Sequence, residues 1–150
     1  MTETFETVAA VLKQESAHTI ERWLERVEKV PALMAIPLSA KDRTGHLPQL
    51  IDDLLTRLGL KDGAVAPETT SAHDHGNARF KQGYSIAMLV DESRQLQVSI
   101  FDTLRRNQNK LDPNTTLEGV VIIADECDAQ LKHTVETFMK LEEERESHAA

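Results

Sequence analysis

A chain of 150 residues, 40% hydrophobic and 28% charged, has the balance of a folded globular protein and the length for one domain with a real core. Its net charge of −8 and pI near 5.2 argue against a nucleic-acid surface, which needs a basic patch, and against docking on anionic membranes. One cysteine, Cys127, excludes an intrachain disulfide framework or a cysteine-rich zinc site and suits a reducing compartment. The opening residues carry no basic stretch followed by an apolar core. The apolar runs fall short of the roughly 18 residues of a membrane span. A cytoplasmic protein with no membrane and no nucleic-acid partner is expected.

Five helical segments follow in chain order. The first places Phe5, Val8, Leu12, Ile20, Trp23, Val27 and Val30 at steps of mostly 3, 4 and 7, the helical period. Thr2 or Thr4 is its expected cap, Pro31 its stop, and "PALMAIP" reads as a short apolar bridge over one end of the core. A second helix is expected from Ser39 or Asp42, or from nearer residue 46 because Pro48 interrupts the pattern, and Gly59 ends it. After the loop "KDGAVAPETTS", a short third helix runs from a cap at Thr70 or Ser71 to about Gln82. Gly83 breaks it, and Ser85 caps a fourth helix striped by Ile86, Leu89, Val90, Leu96, Ile100, Phe101 and Leu104. Past "NQNKLDPNTT", the last helix begins at Thr115 or Thr116 and carries Leu117, Val120, Val121, Ala124, Leu131, Val135, Phe138 and Leu141. "VVII" within it reads as a buried strand only in isolation. Charged, helix-favouring residues about 139–150 continue the helix as a possible connector. The expected fold is all-α: a four-helix bundle or globin-like bundle with an additional short helix and a long C-terminal helix.

Polar chemistry concentrates in "HDHGNARFKQGYSIAMLVDE", residues 73 to 92. Di-iron bundles need two Glu-x-x-His pairs, whereas the chain has one, Glu15 with His18. His73 and His75 are two apart, so a helix points them about 200° apart and a single metal does not easily take both. A metal or haem stays open as an alternative, although no haem-attachment motif is present. Catalytic signatures such as G-x-S-x-G or H-E-x-x-H are missing from the sequence, and Cys127 with His133 lies at a poor helical offset, so no catalytic residues and no enzyme are expected. His75 and Arg79 share a helix face, and Glu92 edges the next apolar stripe. A buried arginine needs an anion, and a carboxylate is the favoured one. The expected site is a polar clasp of His75, Arg79 and Glu92 around the break at Gly83, with His73 and Tyr84 as further candidates for ligand contact.

The pattern His75, Arg79, Gly83 and Glu92, with "ERWLERV" in the leading helix, resembles the N-terminal domain of RsbRD-type proteins, the RsbT co-antagonist family, also found ahead of bacterial histidine kinases. The resemblance spans most of the chain. It departs at "SRQLQ", where Gln97 stands in place of an expected arginine. It implies a sensory or regulatory input domain rather than a catalyst, a bacterial signalling setting such as stress response, and a downstream kinase or other signalling effector. Modules of this kind relay signals across symmetric helix pairs, so a homodimer is expected. The competing expectations are a bundle that carries haem, metal or a small ligand, and a non-catalytic scaffold in a signalling assembly.

Overall fold

The computed structural model describes residues 4–61 and 64–149. Among these the regular structure is helical: α1 (Val8–Gln14), α2 (Ser16–Val27), α3 (Pro31–Met34), α4 (Ala40–Thr44), α5 (Leu47–Leu58), α6 (Ser71–Lys81), α7 (Ile86–Arg106) and α8 (Thr116–Ala149), with a 3-10 turn at Gln108–Lys110. The fold is the all-α bundle that the periodicity predicts. The long helix α8 is its spine. α6 lies along it, α5 and α7 pack on it, and α2 packs on the far side of α7. "VVII" is helical throughout.

The first apolar stripe forms two helices rather than one. Glu15 leaves the helical region at φ −100°, ψ 13°. The cause is local: the Ser16 hydroxyl donates to the carbonyl of Leu12 at 2.8 Å, and that of Thr19 to the carbonyl of Glu15 at 2.9 Å. Hydroxyls that compete for helix carbonyls bend the backbone. The cap is Thr7, whose Oγ1 accepts from the Ala10 amide at 3.1 Å. Thr4 does not cap it, and Thr2 lies outside the described residues. Pro31 both stops α2 and opens α3, where its fixed φ and missing N–H cost nothing. The apolar bridge is therefore a helical turn that drives Leu33 fully into the core.

Both alternatives for the second helix occur. Ser39 caps the short α4 through Asp42, and α5 starts separately at Leu47, with Pro48 in its first turn. Gly59 ends α5. Thr70 holds the cap position of α6, but its hydroxyl turns to Asp74 at 2.9 Å instead of to the backbone. Ser85 caps α7, accepting from Met88 at 3.2 Å.

Two glycines set the geometry around α6. A Cβ on Gly76 would stand 2.7 Å from the carbonyl oxygen of Thr134, so only glycine lets α6 lie this close to α8. Gly83 has φ +88°, in the left-handed region that favours glycine. Its amide donates to the carbonyl of Phe80 at 3.2 Å and that of Tyr84 to the carbonyl of Arg79 at 3.1 Å. This is a Schellman ending, and it folds Tyr84 back under the last turn of α6.

Candidate functional site

Glu92 lies on the buried face of α7, 3% exposed, and α6, the turn after it and α2 converge on it. From α6, Arg79, with no exposed surface, donates from Nε to Oε1 at 2.9 Å. From the turn after α6, the Tyr84 hydroxyl donates to Oε2 at 2.6 Å. His75, one turn before Arg79, holds Nε2 at 3.6 Å from Oε1, close enough for attraction but long for a hydrogen bond. From α2, the indole N–H of Trp23 donates to the Glu92 backbone carbonyl at 3.1 Å. The Schellman turn places the guanidinium of Arg79 over the Tyr84 ring, 4.7 Å from its centroid. Arg79 also donates to the Arg43 carbonyl at 2.6 Å and to Oε1 of Gln82 at 2.7 Å, so both of its outer nitrogens are occupied.

Arg43, on α4, completes the cluster, a member that no sequence pattern marks. It is 2% exposed. Its guanidinium donates to the carbonyls of Leu33 and Ile36 and to the Tyr84 hydroxyl. The Leu33 carbonyl, in the single-turn helix α3, also accepts from the Ile36 amide at 3.2 Å, and the Ile36 carbonyl lies just past the end of that helix. "SAKDRTGH" has no apolar stripe that would mark Arg43 as inward-facing.

The electrostatics follow from burial and these partners. Burial alone would raise the Glu92 carboxyl. The His75 imidazole, the Arg79 charge and the Tyr84 hydroxyl outweigh it and hold the group below the usual carboxylate range. Burial, with the adjacent Glu92 charge, pushes the Tyr84 phenol well up, so it keeps its proton, donating to Glu92 while it accepts from Arg43. His46 stands edge-on to His75 at 5.3 Å between ring centroids, and burial, then the charges of His75 and Arg79, lower its pKa. Nδ1 of His75 is buried with no partner. Beside His75 and Glu92 lies a cavity of about 30 Å³, walled by residues that include Trp23, Leu96, Cys127 and Thr134. This is room for about one water molecule.

The structure brings His75, Arg79 and Glu92 together, with Gly83 shaping the turn between the last two. Tyr84 joins them, and its hydroxyl is fully engaged by Glu92 and Arg43. It does not bring His73 there. That ring faces the opposite way, against α8, 6.5 Å from the ring of His133 and 3.4 Å from the Thr137 hydroxyl. Gln97, where the resembled pattern has arginine, is half-buried a turn beyond the cluster. Glu15 and His18 pair with each other on the surface at 2.7 Å. Cys127 is buried in the core, and burial, with Asp128 and Glu126 nearby, pushes its thiol up to about 12. Among the described residues no group of three or more His, Cys, Asp or Glu side chains is placed to hold a metal ion, and no helix is long and apolar enough to cross a membrane.

What the cluster does chemically is tie. It links α2, α4, α6 and α7 around Glu92: α6 and Tyr84 through the carboxylate, α2 through the backbone carbonyl, and α4 through Arg79 and Tyr84. The residues that carry the family resemblance, Trp23, His75, Arg79, Gly83 and Glu92, are the ones that converge there. No curated protein and no solved structure matches the chain. The family model described as the RsbT co-antagonist protein rsbRD N-terminal domain matches residues 17–150. The match covers the whole cluster and nearly the whole bundle, and the chain belongs to that family of regulatory domains in stress signalling.

Proposed function

We propose that this chain is a non-catalytic input domain that receives a ligand, partner or stress signal and relays it, as a change in helix packing, to a downstream kinase or other signalling effector. An RsbT-like protein is the partner that the family name suggests. The observation that carries the reading is the buried clasp on Glu92. A clasp that joins four helices around one buried glutamate holds them in one arrangement at a definite free energy, which is what a two-state relay requires. A signal moves such an equilibrium only by binding its two arrangements unequally. Arg79 and Glu92 hold one arrangement, and His75, with a ring nitrogen unpartnered, is the member freest to change partners.

Isothermal titration of the chain with RsbT, as wild type and as Glu92→Gln, tests the reading. The wild type is expected to bind. The variant should keep its helical circular dichroism and change the affinity about tenfold or more, equal to about 1.4 kcal/mol. Equal affinities would remove the clasp from signalling. A wild-type chain that does not bind would remove RsbT as the partner.

A second reading, a bundle that opens around a small ligand, rests on the unpartnered Nδ1 of His75. Native mass spectrometry separates the two. An extra mass that leaves on activation favours the ligand carrier, and a bare chain favours protein–protein relay.

A further inference from the structure

Four arginines gather where α2 meets the last turns of α7, and the clasp uses none of them. Asp102, on the buried face of α7 and 5% exposed, is their centre. Nε of Arg106 donates to its Oδ2 at 2.8 Å, and Nη2 of Arg105 donates to its Oδ1. From α2, Nη2 of Arg26 stands 3.5 Å from Oδ2. Arg22, one turn before Arg26, donates to the Thr103 hydroxyl at 3.1 Å, and that hydroxyl also meets the one of Thr19 at 2.6 Å. The hydrogen bond from Arg106, then that from Arg105, outweighs burial and holds the Asp102 carboxyl down to about 2. It is therefore ionised throughout the working range of pH.

The cluster gathers more positive charge than it pairs, in a chain whose net charge is −8. Asp102 is the one carboxylate at ion-pair distance from any of the four among the described residues. Glu25 is near enough to act on Arg106 and Glu15 on Arg22, but neither pairs with an arginine there. Arg105 and Arg106 complement the negative end of α7. That accounts for two of the arginines and not for the pair that α2 brings. Arg26, Arg105 and Arg106 each commit one nitrogen to Asp102 and make no other hydrogen bond among the described residues. Nε of Arg26 is buried with no partner. The three side chains are 35%, 75% and 57% exposed, so their spare donors reach solvent.

The shape of the cluster selects its ligand. Asp102 draws three guanidinium groups from two helices to one point instead of spacing them along a face. A row of cations suits an acidic peptide, whose carboxylates are strung out. A knot of planar forks suits one compact group with several oxygens. A phosphate group has three acceptor oxygens and a charge of about −1.5 to −2 at neutral pH.

We propose that Arg26, Arg105 and Arg106, gathered by Asp102 and flanked by Arg22, form a binding site for a phosphate group, either free phosphate or that of a phosphorylated side chain. The site bridges α2 and the end of α7, so its occupancy adds to the hold between those helices. It lies outside the clasp on Glu92, and it goes beyond the regulatory reading without depending on it.

Titration with inorganic phosphate and with phosphothreonine, followed by NMR of the arginine Nε–H resonances at fixed ionic strength, tests the site. The wild type is expected to bind with a Kd of about 1 mM or tighter, and the resonances of Arg26, Arg105 and Arg106 should move most. Arg105→Gln and Arg106→Gln should each weaken binding about tenfold. Circular dichroism should be unchanged, because both side chains are largely exposed. Arg94→Gln removes the same charge from α7 at a position 64% exposed and paired only with Asp91, and it should leave the affinity within about twofold. Tighter binding of phosphothreonine upholds the site with a phosphorylated side chain as the source, and equal binding upholds it with free phosphate. A wild type that responds to neither probe overturns the proposal. So does an equal loss in Arg94→Gln and Arg105→Gln, which would reduce the effect to overall charge. A chain that binds phosphate but not RsbT keeps the site and loses RsbT as the partner, and a chain that binds RsbT but no phosphate does the reverse.

Discussion

Two arginines each join a pair of helices through a carboxylate, in opposite surroundings. Arg79 ties α6 to Glu92 on α7 with the side chains 0% and 3% exposed. Arg57 ties α5 to Asp125 and Glu126 on α8, with Arg57 29% and Asp125 67% exposed. At Arg57, water stands ready to replace either partner, so the pair has little to lose. At Arg79 both side chains are cut off from bulk water. Removing one member strands the other in the core, and the cost is that of an uncompensated buried charge rather than of one contact. The difference explains why the buried cluster is complete. Glu92 takes Arg79 on one oxygen and Tyr84 on the other, and Arg43 closes the tyrosine, so that only Nδ1 of His75 is left over.

Breaking the buried side has the largest expected effect. Arg79→Ala should cost about 3–5 kcal/mol, which for a chain of this size lowers the melting temperature by about 10 °C or more. Differential scanning calorimetry measures it, and an unchanged melting temperature would sink the clasp. Gly76→Ala leaves the charges alone but drives a methyl group against the Thr134 carbonyl at 2.7 Å. It should cost about 1–3 kcal/mol in urea unfolding as α6 is pushed off α8. Gly83→Ala forces a side chain into the left-handed region and loosens the seat of Tyr84 beneath Arg79, at about 1 kcal/mol.

The contrast sharpens with pH. The pKa of Glu92 is depressed in the folded chain, so its stabilisation is fully present above the ordinary value of 4.5 and is lost as pH falls through the lower folded value. The stability gap between wild type and Glu92→Gln should be flat from neutrality down to about pH 4.5 and shrink below it. A gap that instead grows on acidification would contradict the assigned ionisation. The smallest effect is at the surface pair: Asp125→Asn should change stability by under about 0.5 kcal/mol, and less still in high salt.

Much of this contrast is legible in the sequence, and the gaps have physical causes. Arg79 and Glu92 are findable because each sits at a helical offset from apolar neighbours, with Gly83 marking the turn between them. Ser39 and Ser85 announce their helices because a cap is a local hydrogen bond between near neighbours in the chain. Arg43 is silent because its burial depends on where the carbonyls of Leu33 and Ile36 come to lie, which is tertiary information. Thr4 and Thr7 are equivalent by composition, and the bridge in which Glu6 donates to the Lys110 carbonyl at 2.7 Å and accepts from the Asp112 amide at 3.1 Å fixes the chain there and leaves Thr7 to cap. The break at Glu15 hides inside an unbroken apolar period because the hydroxyls of Ser16 and Thr19 act on the backbone, not on the stripe.

A double-mutant cycle tests the central claim most directly. Arg79→Met and Glu92→Leu, singly and together, are compared by urea unfolding with Arg57→Met and Asp125→Leu. Each buried single change should be severe, and the double change should recover a large part of the loss, giving a coupling of about 2 kcal/mol or more, against under about 0.5 kcal/mol for the surface pair. Equal, small couplings at both sites would contradict the account, because Glu92 would then be a bystander rather than the point on which the helices are held.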